Sequence, residues 1–144
     1  MSSKSKVYFF YEKGGFSLTH RENLKVFIGG LFKKEKKALL NLNYIFCSDK
    51  RLLEINKQYL NHDYYTDIIT FDLSDSSETT GEIYISIDRV KDNAKTNGTS
   101  FKSELHRVIF HGALHLCGYG DKKPKEKALM TEKENKYLSL YGIK

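Results

Sequence analysis

The chain has 144 residues and a mass of 16.7 kDa, the size of one domain. Its 40% apolar content, with ten Tyr and nine Phe, can fill a core and excludes a disordered chain; no apolar run approaches the roughly 18 residues of a membrane span, and two cysteines, Cys47 and Cys117, exclude a disulfide scaffold. Lys+Arg 24 against Asp+Glu 18 leaves a formal charge of +6, carried mostly by lysine, an excess that suits a polyanionic partner or serves solubility alone.

The polar, basic stretch Met1–Lys6 is not followed by the apolar segment of a secretory leader, so a reducing cytoplasm is the expected compartment. Lys6–Tyr11 (KVYFFY) is short, apolar and rich in aromatic residues, which predicts a buried strand broken by Gly14-Gly15. Thr19 with Glu22 fits a capping box, and Leu24, Phe27, Ile28 and Leu31 recur at helical spacing, so a helix follows. Lys33, Lys34, Lys36 and Lys37 cluster near its end, where positive charge complements the helix dipole or meets a polyanion. Leu40, Leu42, Tyr44 and Phe46 alternate with Asn41, Asn43 and Ile45, the spacing of a second strand.

Ser48 or Asp49 can cap a second helix, with Leu52, Ile55 and Tyr59 as its apolar stripe. Ile68–Leu73 and Glu82–Ile87 read as two further strands joined by the polar loop Ser74–Thr80. Asp88 can cap a short helix that Gly98 ends. Ser100 opens a long apolar-periodic helix that runs to Cys117, with Gly118 beyond it. Pro124 suits the first position of a last helix carrying Leu129, Met130, Tyr137 and Leu138. This order predicts an α+β (α/β layered) fold, a single domain over residues 1–144 with one mixed, about four-stranded sheet covered by about five helices. The short link between the third and fourth strands makes that pair antiparallel, so the sheet is not all parallel.

The segment with chemical content is Glu104 to Asp121. His111 and His115 are four apart, one turn of helix, and a helix face that presents two imidazoles is a common start of a metal site in this C-terminal third of the chain. The pair can also simply line a helix face. A metal site needs a third ligand, and Asp121, six residues after His115 and past Gly118, can fold back over the helix end to supply a carboxylate. Gly112 stands where the protease pattern H-E-x-x-H has its general base, which excludes that chemistry in its usual form; a helix-interior glycine also points to close packing. Glu104 shares the face of His111 but lies two turns away, too far to be a ligand, and reads as a solvent-facing salt bridge or a supporting carboxylate. His20, His62 and His106 show no such spacing, and Cys117, on another face, reads as a buried small residue.

These residues, His111-Gly112-x-Leu114-His115-Leu116-x-Gly118-Tyr119, resemble the signature of the YbeY family of metal-dependent endoribonucleases. The resemblance extends over most of the chain: Asn56 to Phe71, with Tyr59 and Thr66-Asp67, Gly81-Glu82-Ile83, the lead-in Glu104-Leu105-x-Arg107, and Met130 with Glu134 in the last helix. The family signature continues with Asp and a third His, where this chain has Gly120 and Asp121. A family Arg after the Tyr of the second signature, thought to act on RNA, is Leu60 here, and Lys57 or Arg107 are the candidate substitutes.

The resemblance implies a single-strand-specific, zinc-dependent endoribonuclease with one Zn²⁺ (or another divalent ion) held by His111, His115 and Asp121. It further implies a cytoplasmic role in maturing the 3′ end of small-subunit rRNA and in ribosome quality control, with the small ribosomal subunit as partner and no membrane. Thr66 and Asp67, with Glu104, are then structural or supporting residues. The metal would polarise a phosphoryl oxygen or activate a water, less strongly with a carboxylate ligand than with a third histidine. Asp121, if unligated, would be the base instead. The altered ligand and missing Arg motivate an alternative, a non-catalytic rRNA-binding assembly factor. A two-histidine, one-carboxylate iron oxygenase fits the ligands alone.

Overall fold

The computed structural model describes residues 5–143, and the basic start Met1–Lys4 read above lies outside the described residues. In chain order the elements are β1 (Val7–Tyr11), α1 (Arg21–Lys34), β2 (Leu39–Cys47), α2 (Asp49–Leu60), β3 (Ile68–Asp72), β4 (Thr79–Ser86), α3 (Ile87–Asn97), α4 (Phe101–Leu116) and α5 (Pro124–Tyr141). The strands form one mixed sheet in the order β1-β2-β4-β3, with β1 and β4 parallel to β2 and β3 antiparallel to β4. This is the α+β arrangement of four strands and five helices that the patterning predicts.

Alternation decides which side chains face which layer. Val7, Leu42, Tyr44, Phe46, Ile83 and Ile85 form the main core with α1, α4 and α5. The opposite face is covered only in part, by Leu52 and Ile55 of α2 on Cys47 and Ile69. The helical cover is therefore uneven, and Tyr8 and Phe10 stay 41% and 49% exposed on β1.

Four local expectations give way to tertiary context. Thr19 does not cap α1: His20, in the left-handed region at φ 53°, occupies that position with no side-chain cap, so the box with Glu22 does not form. A register shift between Leu39 and Asn41 turns Leu39 inward and leaves Leu40 exposed, so the alternation begins only at Leu42. On α2, Ser48 is the cap, and the stripe continues through buried Asn56, whose amide donates to the Tyr64 carbonyl at 2.9 Å; Tyr59 points to solvent. Ser86, not Asp88, caps α3, because the helix starts directly off β4.

α4 is the hub. Ser100 caps it through the Ser103 N–H, and the Tyr44 hydroxyl of β2 donates to the Ile109 carbonyl at 2.8 Å. Gly112 brings it down onto the sheet: a Cβ there would sit 2.8 Å from Ile83 Cδ1 and 3.0 Å from Ile68 Cδ1. His106, on the far side of α4, is buried, stacks on Tyr141 at 5.5 Å and bonds the Lys102 carbonyl through Nδ1 at 2.7 Å, a structural histidine.

Gly112→Val should lower stability by about 2 kcal/mol by forcing α4 off β4, read as a lower denaturant midpoint at unchanged slope. Burial holds the His106 imidazole pKa below its ordinary value, although the Lys102 carbonyl opposes this. The unfolded chain then binds the proton more readily, so the contribution of His106 is full above about pH 6.5 and is lost as pH falls toward the folded value. The wild type should lose more stability than His106→Gln between neutral and mildly acidic pH, measured by urea melts at both.

Candidate metal centre and cleft

The helix face that starts at Glu104 carries Arg107, His111 and His115 down successive turns into a cleft of about 550 Å³. The facing wall is the end of α2 and the segment Thr66–Thr70 entering and forming β3; the loop after α4 closes the floor. That loop turns sharply because Gly118, at φ 107°, ends α4 in a Schellman pattern: its N–H bonds the His115 carbonyl and the Tyr119 N–H bonds the Leu114 carbonyl. The turn returns the chain over the helix end and brings Asp121 back to the histidines.

His111 Nε2 lies 3.1 Å from Asp121 Oδ2, and His115 Nε2 lies 3.7 Å from Asp121 Oδ1. One donor atom from each of the three residues falls within 4.8 Å of the others. Donors around a tetrahedral zinc ion, bonded at about 2.0–2.1 Å, stand roughly 3.3 Å apart, so the His111–Asp121 pair is at that spacing and the set as a whole could close on a divalent cation by drawing together.

Both imidazoles are held by their other nitrogen. His111 Nδ1 bonds Glu134 Oε2 at 2.6 Å, and His115 Nδ1 bonds the Tyr119 carbonyl at 2.7 Å. These acceptors take the Nδ1 protons, so it is the Nε2 side of each ring that faces Asp121. Glu134 is fixed in turn by Arg107, whose Nη1 donates to Oε1 at 2.8 Å while Nη2 donates to Asn135 Oδ1 at 2.7 Å. Tyr119 is fixed by Glu35, which caps the end of α1 and accepts from its hydroxyl at 2.6 Å and also from the Tyr137 hydroxyl.

Burial lowers the His111 pKa, but the hydrogen bond and charge of Glu134, with the Asp121 and Asp67 carboxylates, outweigh it and leave the group above its ordinary value. Burial lifts the Asp67 carboxyl, with His111 pulling the other way. Both cysteine thiols are pushed up to about 12 by burial and lie outside the cleft lining.

The structure thus brings His111, His115 and Asp121 together and lines the same cleft with Glu104, Arg107, Thr66 and Asp67. Glu104 is not the solvent-facing salt bridge considered above: it lines the cleft, is 8% exposed and forms no ion pair among the described residues. Lys57 is outside the lining and pairs with Asp63 at 3.3 Å. Arg107 is in the cleft with its guanidinium engaged by Glu134 and Asn135. The orienting role of Glu134 is what sequence reasoning missed. Its signal is a carboxylate on the buried stripe of α5, four residues from Met130 and three from Tyr137, where a charge needs partners.

A family model described as endoribonuclease YbeY matches residues 17–142. The chain is 52% identical over 135 residues to endoribonuclease YbeY of Cytophaga hutchinsonii, covering 93% of this chain and 94% of that one. It is 53% identical over 100 residues to endoribonuclease YbeY of Parabacteroides distasonis, covering 69% and 70%. The solution structure of TM1509 from Thermotoga maritima matches with a TM-score of 0.67 at 33% identity, covering 94% of this chain and 88% of that one.

Glu134→Gln keeps the size of the side chain but removes the charge that orders His111. It should weaken zinc binding by about tenfold or more, measured by competition with a chelating dye, with the circular dichroism spectrum unchanged.

Proposed function

The chain belongs to the YbeY endoribonuclease family, and on that footing we propose that it cleaves phosphodiester bonds of single-stranded RNA at a zinc centre held by His111, His115 and Asp121. The observation that carries the reading is the pre-set orientation of both Nε2 atoms toward the Asp121 carboxylate at the floor of an open cleft. When bound, the cation supplies Lewis-acid polarisation of a phosphoryl oxygen and activation of a water.

The side chains do the remaining work. Glu134 and the Tyr119 carbonyl hold the two Nδ1 protons and so keep the imidazoles in one tautomer. Asp121 supplies a negative donor, which leaves the centre less positive than three neutral histidines would. Gly112 leaves no carboxylate next to His111 in sequence, so proton transfer falls to other groups of the cleft. Asp67, its carboxyl lifted by burial, is placed to hold a proton there. Glu104 and Thr66 shape the wall.

The whole chain acts in this account as one catalytic domain. Its place is the cytoplasm, and its substrate is the rRNA of the small ribosomal subunit near the 3′ end. No helix is long and apolar enough to cross a membrane among the described residues. The non-catalytic assembly-factor reading has no observation in its favour, because an oriented ligand set is what a binding protein does not need.

Untagged protein should carry close to one zinc per chain, and Asp121→Ala and His111→Ala should lose most of it by elemental analysis. Cleavage of an unstructured RNA oligomer should stop with chelator and return with zinc. Metal-free wild type after zinc supply, or cleavage indifferent to chelator, would overturn the reading.

A further inference from the structure

The charges of the cleft do not suit a polyanion as they stand. Asp67, Glu104, Asp121 and Glu134 put four carboxylates into its lining, against two cations, Arg107 and Lys122. A divalent cation on the three ligands would bring the formal charge only to balance. The Arg107 guanidinium is anchored, with Nη1 donating to Glu134 at 2.8 Å and Nη2 to Asn135 at 2.7 Å, so its charge already serves the Glu134 carboxylate and it is not free to follow a substrate. Moving it would release a carboxylate that is 9% exposed and that orients His111. On the facing wall, the end of α2 contributes Leu60, which carries no charge.

Lys122 remains. It follows the ligand Asp121 directly, it lines the cleft, and among the described residues it has no carboxylate within ion-pair distance. Its backbone is fixed: the N–H groups of Lys122 and Lys123 donate to Glu126 Oε1 at 3.2 and 3.0 Å, which ties this turn to the first turn of α5. Gly120 leaves room for that carboxylate, since a Cβ there would sit 2.7 Å from Glu126 Oε2. A rigid root with a flexible, exposed ammonium head is what the binding of a phosphate as a point charge requires.

We propose that Lys122 is the substrate-binding cation of this cleft, contacting a backbone phosphate of the RNA next to the metal centre. This rests on the RNA-cleaving reading above, but its role in binding is separable from cleavage. Lys57, paired with Asp63 outside the lining, and Arg107, committed to Glu134, do not fill that role.

The test compares zinc-loaded wild type, Lys122→Ala and Lys122→Arg on one unstructured RNA oligomer. Binding is followed by fluorescence anisotropy across a salt series, and cleavage by initial rates. Lys122→Ala should weaken binding about five- to tenfold and raise KM more than it lowers kcat. It should also reduce the slope of log affinity against log salt by about 0.7, the value for one phosphate contact on a single strand. Lys122→Arg should restore both, and zinc content and melting temperature should not move in either variant, because the side chain is exposed.

An unchanged affinity and salt slope in Lys122→Ala would overturn the inference while leaving the nuclease reading intact. Lys122-dependent binding without any cleavage by the wild type would overturn the nuclease reading and leave the inference standing. No RNA binding by the wild type would overturn both.

Discussion

The hydrogen bond between His111 Nδ1 and Glu134 Oε2 joins the fold to the site. It links α4 to α5 through the interior, and it sets the direction of the nitrogen that faces Asp121. A buried carboxylate is costly unless its partners are in place. Here Arg107 takes one oxygen and His111 the other, both from α4. The two helices therefore dock in one register. A shift by a turn would strand Glu134 and misdirect His111 together, so packing errors and site errors are the same error. Glu35 does the same at the other end, where its bond to Tyr119 fixes the residue whose carbonyl holds His115.

The sheet supplies the second constraint. β2 and β4 are parallel and adjacent, and β3 returns antiparallel at the edge. That single reversal places the segment Thr66–Thr70 beside α4, where it forms a wall of the cleft facing the histidines. Had β3 stayed away from this edge, α4 would carry His111 and His115 on an open surface. The close approach is possible because residue 112 has no side chain. A residue that weakens the helix in isolation is thus what lets the helix reach the sheet.

Much of this was legible in the sequence because it rests on local signals. Strand and helix periods gave the order of elements, Gly98, Gly118 and Pro124 mark ends that the structure keeps, and the i, i+4 histidines share a face on α4 as spacing requires. The return of Asp121 was inferable from a glycine exit and six residues of chain. What failed was decided by contacts between distant segments. Tyr59 fits a helical stripe, but beyond Ile55 it meets only the edge of Phe71 at 6.0 Å, so it stays 63% exposed. Glu104 looks like a surface carboxylate in one dimension and is covered in three. Leu40 was misplaced because a bulge shifts register without any glycine or proline to announce it. Glu134 became meaningful only once α5 was seen against α4.

Asp121 and Leu60 both keep positive charge out of the cleft. The position six residues after His115 carries a carboxylate, and the end of α2 presents an uncharged leucine, so the cleft lining holds four carboxylates against Arg107 and Lys122. The protein as a whole is nonetheless at +6, almost entirely through lysine. Attraction and positioning are therefore divided in space. Diffuse positive charge on the outer surface raises the local concentration of a polyanion, and long-range steering needs no particular geometry. Within the cleft Glu134 and Arg107 are engaged in orienting His111, so a local contact falls to a side chain that is not part of that lattice. Lys122, with no ion pair among the described residues and its turn tied to Glu126, meets that requirement better than a guanidinium anchored to a carboxylate and an amide.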